Sequence, residues 1–285
     1  MASPALSFRH QPVNGISIVP LVRTFRAVPA YAETEEQIAL GGLFGDEADK
    51  RWQDLQNEHR CVIIASAGIG KTHEMLEQAK HVAFSGRYSF FIRIEDIDHT
   101  FENAFEVGNA ALFAKWLSSS SEAWFFLDSV DESRLSDPQA FGDAMRRFSS
   151  RINDGYFRAR IFISARPYAW RPSDRQLIEE LFPFSPFAEK LEDGSKTVEE
   201  RNSLQVYSLR PLTDKQIEDF AYHRATPDIP QLLATIERAQ LAEFAERPYD
   251  LDALLLKWAS DRQIESRLEF VQFLVRHRLK QAGLT

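Results

Sequence analysis

The chain has 285 residues, with 34 Lys+Arg against 42 Asp+Glu and a formal charge of −8. That length makes one large domain or two small ones, and a composition of 44% hydrophobic and 27% charged residues excludes wholesale disorder. A pI near 5.5 argues against a dedicated nucleic-acid binder. The single cysteine, Cys61, excludes an internal disulfide framework and a Cys-cluster zinc site. The most apolar stretches, around 62–64 and 124–127, fall far below the roughly 18 residues of a membrane-spanning helix. A soluble, cytoplasmic protein with no membrane partner is expected.

Residues 1–32 hold Arg9, Arg23 and Arg26 and no acid. Such a start can mimic an organellar transit peptide, but a flexible or edge-strand lead-in is the expectation here. From residue 33 the pattern turns helical, over 33–43 and then 46–59, where Trp52 and Leu55 form the apolar side. A strand is predicted over 61–66, a helix from Lys71 to about Phe84 and a strand over 88–94. A helix over 110–117 and a strand over 123–127 follow. Pro138 suits the first turn of a helix running to about Ile152. A strand over 160–164 is followed by a helix with the capping-box pattern Ser173-x-x-Gln176. Strands alternating with helices imply an α/β fold, a parallel sheet covered on both faces.

Pro183, Pro186 and a run of charge over 189–201 mark a surface insertion at about 183–203. Residues 204–209 suit a fifth strand. A second capping box, Thr213-x-x-Gln216, opens a helical remainder. There Ile217 and Phe220, then Leu251, Leu254, Leu255 and Trp258, then Leu268, Val271 and Val275 recur at helical spacing. The expected organisation is a lead-in over 1–44, a nucleotide-binding domain over 45–205 and a small helical subdomain over 206–285.

The most informative segment is Ala65-Ser66-Ala67-Gly68-Ile69-Gly70-Lys71-Thr72, which fits the phosphate-binding P-loop pattern with Ala in place of the first Gly. Small residues at a strand end let the N–H groups of Ala67, Gly68, Ile69 and Gly70 curl around a phosphate, and the helix start aims its positive end at the anion. Lys71 would reach the β- and γ-phosphates and the Thr72 hydroxyl would take a position on Mg²⁺. Ala65 is tolerable unless its φ must be positive. Downstream, Trp124-Phe125-Phe126-Leu127-Asp128 is an apolar strand ending in an acid, followed by Asp131 and Glu132. Ligands in open parallel sheets bind beyond the carboxyl ends of the strands. Asp128 is therefore the expected partner of Mg²⁺ through water, and Asp131 or Glu132 the group that orients or deprotonates the attacking water. Ile161-Phe162-Ile163-Ser164-Ala165-Arg166-Pro167 brings a guanidinium, Arg166, to the same edge as a clamp for a terminal phosphate.

These three segments, 65–72, 125–132 and 161–167, resemble the NACHT-type branch of the STAND signalling ATPases, especially bacterial relatives in defence proteins. The doubled acid Asp131-Glu132, separated from Asp128 by two residues, carries much of that likeness. A weaker match at 246–251, Glu-Arg-Pro-Tyr-Asp-Leu, resembles the family's helical-subdomain proline. The resemblance covers roughly residues 45–260. It implies ATP and ADP as ligands with Mg²⁺, Arg166 as the sensor, Pro248 against the adenine, and a slowly hydrolysing molecular switch. It also implies self-association or further domains as partners, because such proteins normally carry an effector before and repeats after the ATPase. The chain is therefore expected to be a section of a larger signalling or antiviral defence protein. Two other classes stay open: a nucleotide-stabilised scaffold without turnover and a small-molecule P-loop kinase.

The remaining features favour plainer readings. The seven histidines show no paired-ligand spacing. The basic residues Arg146, Arg147, Arg151, Arg158 and Arg160 suggest a solvated or partner-facing surface. Arg267, Arg276, Arg278 and Lys280 suggest a face packed on another subdomain.

Overall fold

A computed structural model describes residues 19, 21–29, 48–97, 101, 104–128, 130, 139–183, 204–281 and 283. It divides into two units, Arg23–Pro211 and Met1–Val22 with Leu212–Thr285.

The first unit holds a seven-stranded sheet. Its strands are β1 (Phe25–Ala27), β2 (Arg60–Ile64), β3 (Tyr88–Arg93), β4 (Phe105–Val107), β5 (Ala123–Asp128), β6 (Ala159–Ala165) and β7 (Gln205–Leu209), in the spatial order β1-β7-β2-β6-β5-β3-β4. The five inner strands are parallel, while β1 and β4 run antiparallel at the two edges. The expected parallel sheet is thus the inner part of a mixed one. Both edge strands have three residues, too few for periodicity to reveal.

Its helices are α1 (Trp52–Leu55), α2 (Lys71–Phe84), α3 (Ala110–Leu117), α4 (Ala140–Ile152) and α5 (Pro172–Leu181). Alternation along each strand builds two cores. Val62, Ile64, Phe90, Ile92, Phe125, Leu127, Ile161 and Ile163 point to one face, against Trp116 of α3, Phe141 and Phe148 of α4, and Ile178 of α5. Cys61, Ile63, Phe91, Phe126 and Phe162 point to the other, against Leu55 of α1 and Met75, Ala79 and Val82 of α2. The inner strands read as continuous apolar runs because both faces are covered.

Three expectations change. The long helix over 46–59 shrinks to α1, because the Lys50 backbone pairs with Phe25 (N···O 2.7 and 2.8 Å) and extends the chain there. Ser173 does not cap α5; the Arg171 N–H donates to the Asp174 carboxylate at 2.8 Å, with Pro172 in the first turn. The sheet extends past residue 205, since β7 pairs with β2, and the units divide after Pro211. The expected helix over 33–43, the Pro138 start and nearly all of the 183–203 insertion lie outside the described residues.

The second unit is helical: α6 (Asp214–His223), α7 (Ile229–Arg238), α8 (Ala242–Ala245), α9 (Pro248–Asp261) and α10 (Arg267–Gln281). The Thr213–Gln216 capping box forms, with Gln216 N–H donating to Thr213 Oγ1 at 3.3 Å and Thr213 N–H to Gln216 Oε1 at 2.9 Å. Ile217, Phe220, Leu251, Leu254, Leu255 and Trp258 are buried together as their spacing predicts. In α10 the buried pair is Phe270 and Leu274, while Leu268 and Val275 are exposed. Arg278 pairs with Asp250, and Arg267 with Glu243 at 2.8 Å, so two of the four basic residues expected to face another subdomain are bonded within this unit. No helix among the described residues is long and apolar enough to cross a membrane.

Candidate functional site

The strand-to-helix junction after β2 is the predicted loop. The Ala65 N–H donates to the Ala165 carbonyl at 3.2 Å, which prolongs β2–β6 pairing by one residue. The chain then turns through Gly68 (φ 81°) and Gly70 (φ 99°), the two positions where a left-handed backbone requires glycine. Ala65 has no positive φ, so its methyl group is compatible with the turn. Ile69 is buried between the glycines and anchors the turn in the core, while Ser66 and Ala67 are exposed. Gly70 caps α2, which starts at Lys71. The Lys71 Nζ donates to the Ala65 carbonyl at 2.8 Å, so the ammonium folds back over the loop. Lys71 and Thr72 are half-buried.

Strand order assembles the rest. Because β6 lies between β2 and β5, the end of β6 separates the loop strand from the acidic strand. Asp128, the last residue of β5, is fully buried and accepts a hydrogen bond from the Ser164 hydroxyl. Ser164, the lone hydroxyl in the buried run 161–165, is a neighbour of Asp128 that the sequence alone does not single out. Arg166 follows β6 and is half-buried, with Nη1 3.2 Å from the Tyr168 hydroxyl. Arg93 ends β3 in register with Asp128, and its Nε donates to Glu106 at 2.5 Å. That bond, with the nearby Asp128 and Glu95 charges, raises the Arg93 pKa, so it is a fixed cation at this edge.

A second missed group lies beneath the loop. Arg23, from the acid-free lead-in, is buried and donates through Nη1 to the Ile69 carbonyl at 3.0 Å. Glu74, on the first turn of α2, approaches Arg23 Nη1 at 4.0 Å and accepts from Trp52 Nε1 at 3.3 Å. Burial pushes the Glu74 carboxyl up to about 7, against the opposing pull of Arg23 and the Trp52 bond. Its only sequence signal was an arginine in a segment without acids.

Asp131 and Glu132 lie outside the described residues. Pro248 occupies the first position of α9 in the helical unit, where proline suits a helix start on its own account. A cavity of about 410 Å³ in that unit is lined by Tyr249, which follows Pro248 in sequence, and by Asp252, His277 and Arg278. Two arginines of the basic stretch do not form a free surface: Arg158 donates to the Trp116, Leu117 and Ser121 carbonyls, and Arg160 to the Asn57 carbonyl and Glu122. Cys61 lies in β2, where burial pushes its thiol well up. Among the described residues no group of three or more His, Cys, Asp or Glu is arranged around a metal position. Thr72 and Asp128 offer a hydroxyl and a carboxylate, oxygen donors of the kind Mg²⁺ takes in small number from a protein.

No family model matches the chain, and no curated protein matches it. Among solved structures, the Orc1 protein of Aeropyrum pernix in complex with DNA is similar at 14% identity, with a TM-score of 0.41 over 89% of this chain and 70% of that one. A likeness of that size adds nothing to the site. The fold stands on its own elements: α/β, a mixed seven-stranded sheet with helices on both faces, followed by an all-helical part.

Proposed function

We propose that residues 65–72 bind ATP with Mg²⁺ and that the chain works as a slowly hydrolysing molecular switch of the kind the NACHT/STAND resemblance implies, with ADP marking the reset state. The observation that carries this proposal is the loop: two left-handed glycines at a strand-to-helix junction, with the Lys71 ammonium on the Ala65 carbonyl. N–H groups at a helix start attract anions. An ammonium beside such a loop can form charge-assisted hydrogen bonds to phosphate, which are about twice as strong as neutral ones.

Bound Mg²⁺ would supply neutralisation of the phosphate charge. Thr72 would hold it directly, and Asp128 through water, because that carboxylate is buried and already accepts from Ser164. Arg166 is assigned to the terminal phosphate and Pro248 to the adenine. Asp131 or Glu132 would hold the attacking water and accept its proton. Nucleotide and a signalling partner, whether a second copy or another domain, are the expected ligands.

Calorimetric titration of the chain with ATP and Mg²⁺ tests the site. Wild type is expected to bind one equivalent, and Lys71→Ala to bind at least about a hundredfold more weakly, a loss typical of a buried charge-assisted contact. Undiminished binding by Lys71→Ala overturns the assignment. Asp131→Asn should keep binding and slow phosphate release. Tight stoichiometric nucleotide with no phosphate release in wild type would favour the scaffold, and transfer to a small-molecule acceptor the kinase.

A further inference from the structure

The chain passes between its two units at two peptide bonds, Val22–Arg23 and Pro211–Leu212. Inside the sheet unit the residues beside both crossings are tied together. The Arg210 N–H donates to the Thr24 carbonyl at 2.9 Å, and Arg23 Nη2 donates to the Arg210 carbonyl at 2.6 Å. The other arm of the same guanidinium, Nη1, holds the Ile69 carbonyl of the phosphate loop at 3.0 Å. The Arg23 side chain is 1% exposed, and Glu74 is the acid beside it.

The geometry of the peptide unit gives this contact a direction. The Ile69 carbonyl and the Gly70 N–H share one planar trans peptide, so they point in opposite directions. A carbonyl held on the buried side turns the Gly70 N–H outward, which is the orientation an anion cradle needs. The flanking Gly68 and Gly70 are the residues freest to rotate, so without an anchor this peptide would be the first to turn. The guanidinium is also a rigid fork. Displacement of one carbonyl it holds must strain or break its bond to the other.

We propose that Arg23 is a positioning residue for the phosphate loop, orienting the Ile69–Gly70 peptide for an anionic ligand and linking that peptide to the chain exit at Arg210. This rests on the nucleotide-binding role proposed for residues 65–72. Lysine cannot reproduce the link, because a point ammonium lacks the two-armed planar spacing. Methionine keeps the bulk and removes every donor.

The test uses the full chain as wild type, Arg23→Lys and Arg23→Met. It reads ATP–Mg²⁺ affinity by calorimetry and amide hydrogen exchange at Gly70 and Arg210 with and without ATP–Mg²⁺. In wild type, saturation is expected to slow exchange at both amides together, by at least about threefold. Arg23→Lys should bind about tenfold more weakly and Arg23→Met about thirtyfold, with the Arg210 response lost in both. A residue that only stabilises the unit would lower the melting temperature and leave the Arg210 response intact, which overturns the proposal. If Arg23→Met does not fold, wild type and Arg23→Lys decide: an unresponsive Arg210 in saturated wild type, or an unchanged Arg23→Lys, overturns it. Failure of wild type to bind ATP–Mg²⁺ at all would instead remove the nucleotide site itself, and the role of Arg23 with it.

Discussion

At the two ends of the same parallel strands arginine takes different partners, mostly backbone carbonyls at one and side chains at the other. At the amino end Arg60 opens β2 and donates to the Phe182 carbonyl at 2.6 Å, just past the end of α5. Arg158 closes the last carbonyls of α3, and Arg160 reaches the Asn57 carbonyl as well as the Glu122 carboxylate. At the carboxyl end Arg93 and Arg166 bond side chains instead, Glu106 and Tyr168. The reason is the direction of the chain. Each helix that follows a parallel strand returns its carbonyl end to the amino edge of the sheet and leaves its N–H end at the carboxyl edge. Cations at the amino edge therefore complete the structure, whereas those at the carboxyl edge share it with helix starts that also attract anions.

If this division is right, substitutions at the amino end should change stability without changing nucleotide affinity, and those at the carboxyl end the reverse. Arg60→Met should be the most damaging, costing about 3–4 kcal/mol in urea unfolding, because buried carbonyls lose their donor. ATP affinity of its folded fraction should stay within about twofold, and a larger change would blur the two ends into one.

The next effect depends on pH. His59 lies beside Arg60 and Arg160, and burial followed by those charges lowers its pKa to about 4, against the pull of its bond to the Tyr156 carbonyl at 3.2 Å. As pH falls from about 6.5 towards 4, the unfolded chain takes up a proton that the folded chain refuses. Its contribution is thus complete above about 6.5 and lost on acidification, by about 2–3 kcal/mol over the window. Urea midpoints between pH 4 and 7 should fall more steeply for wild type than for His59→Gln. Parallel curves would remove His59 from the account.

At the other end, Asp128→Asn keeps size and a partner for Ser164, so its melting temperature should move little. Its ATP hydrolysis should drop about thirtyfold, ~2 kcal/mol, through the weakened hold on Mg²⁺. Equal turnover would move the metal role elsewhere. The smallest effect belongs to Arg158→Lys, which keeps the charge but not the fork across three carbonyls. A loss of about 1 kcal/mol with unchanged nucleotide binding is expected, measured by the same urea titration.

Legibility in the sequence followed the range of the interactions. The bounds of α2 and α3 and the Thr213–Gln216 cap are set within a few residues and were read directly. Periodicity extends the helix over 46–59 too far because it cannot register that Lys50 pairs with Phe25. Edge strands of three residues left no period to detect.

For the site, residues 65–72 alone determined a strand-to-helix turn with glycine where the backbone is left-handed, and residues 123–128 an apolar strand ending in an acid, because spacing and sterics decide both locally. Tertiary structure alone decided that β6 would stand between those strands and bring Ser164 to Asp128, and that Arg23 would lie beneath Ile69. Such contacts join residues 36 and 46 positions apart. They depend on strand order and on where buried charge finds its partners, and neither is written in any single segment.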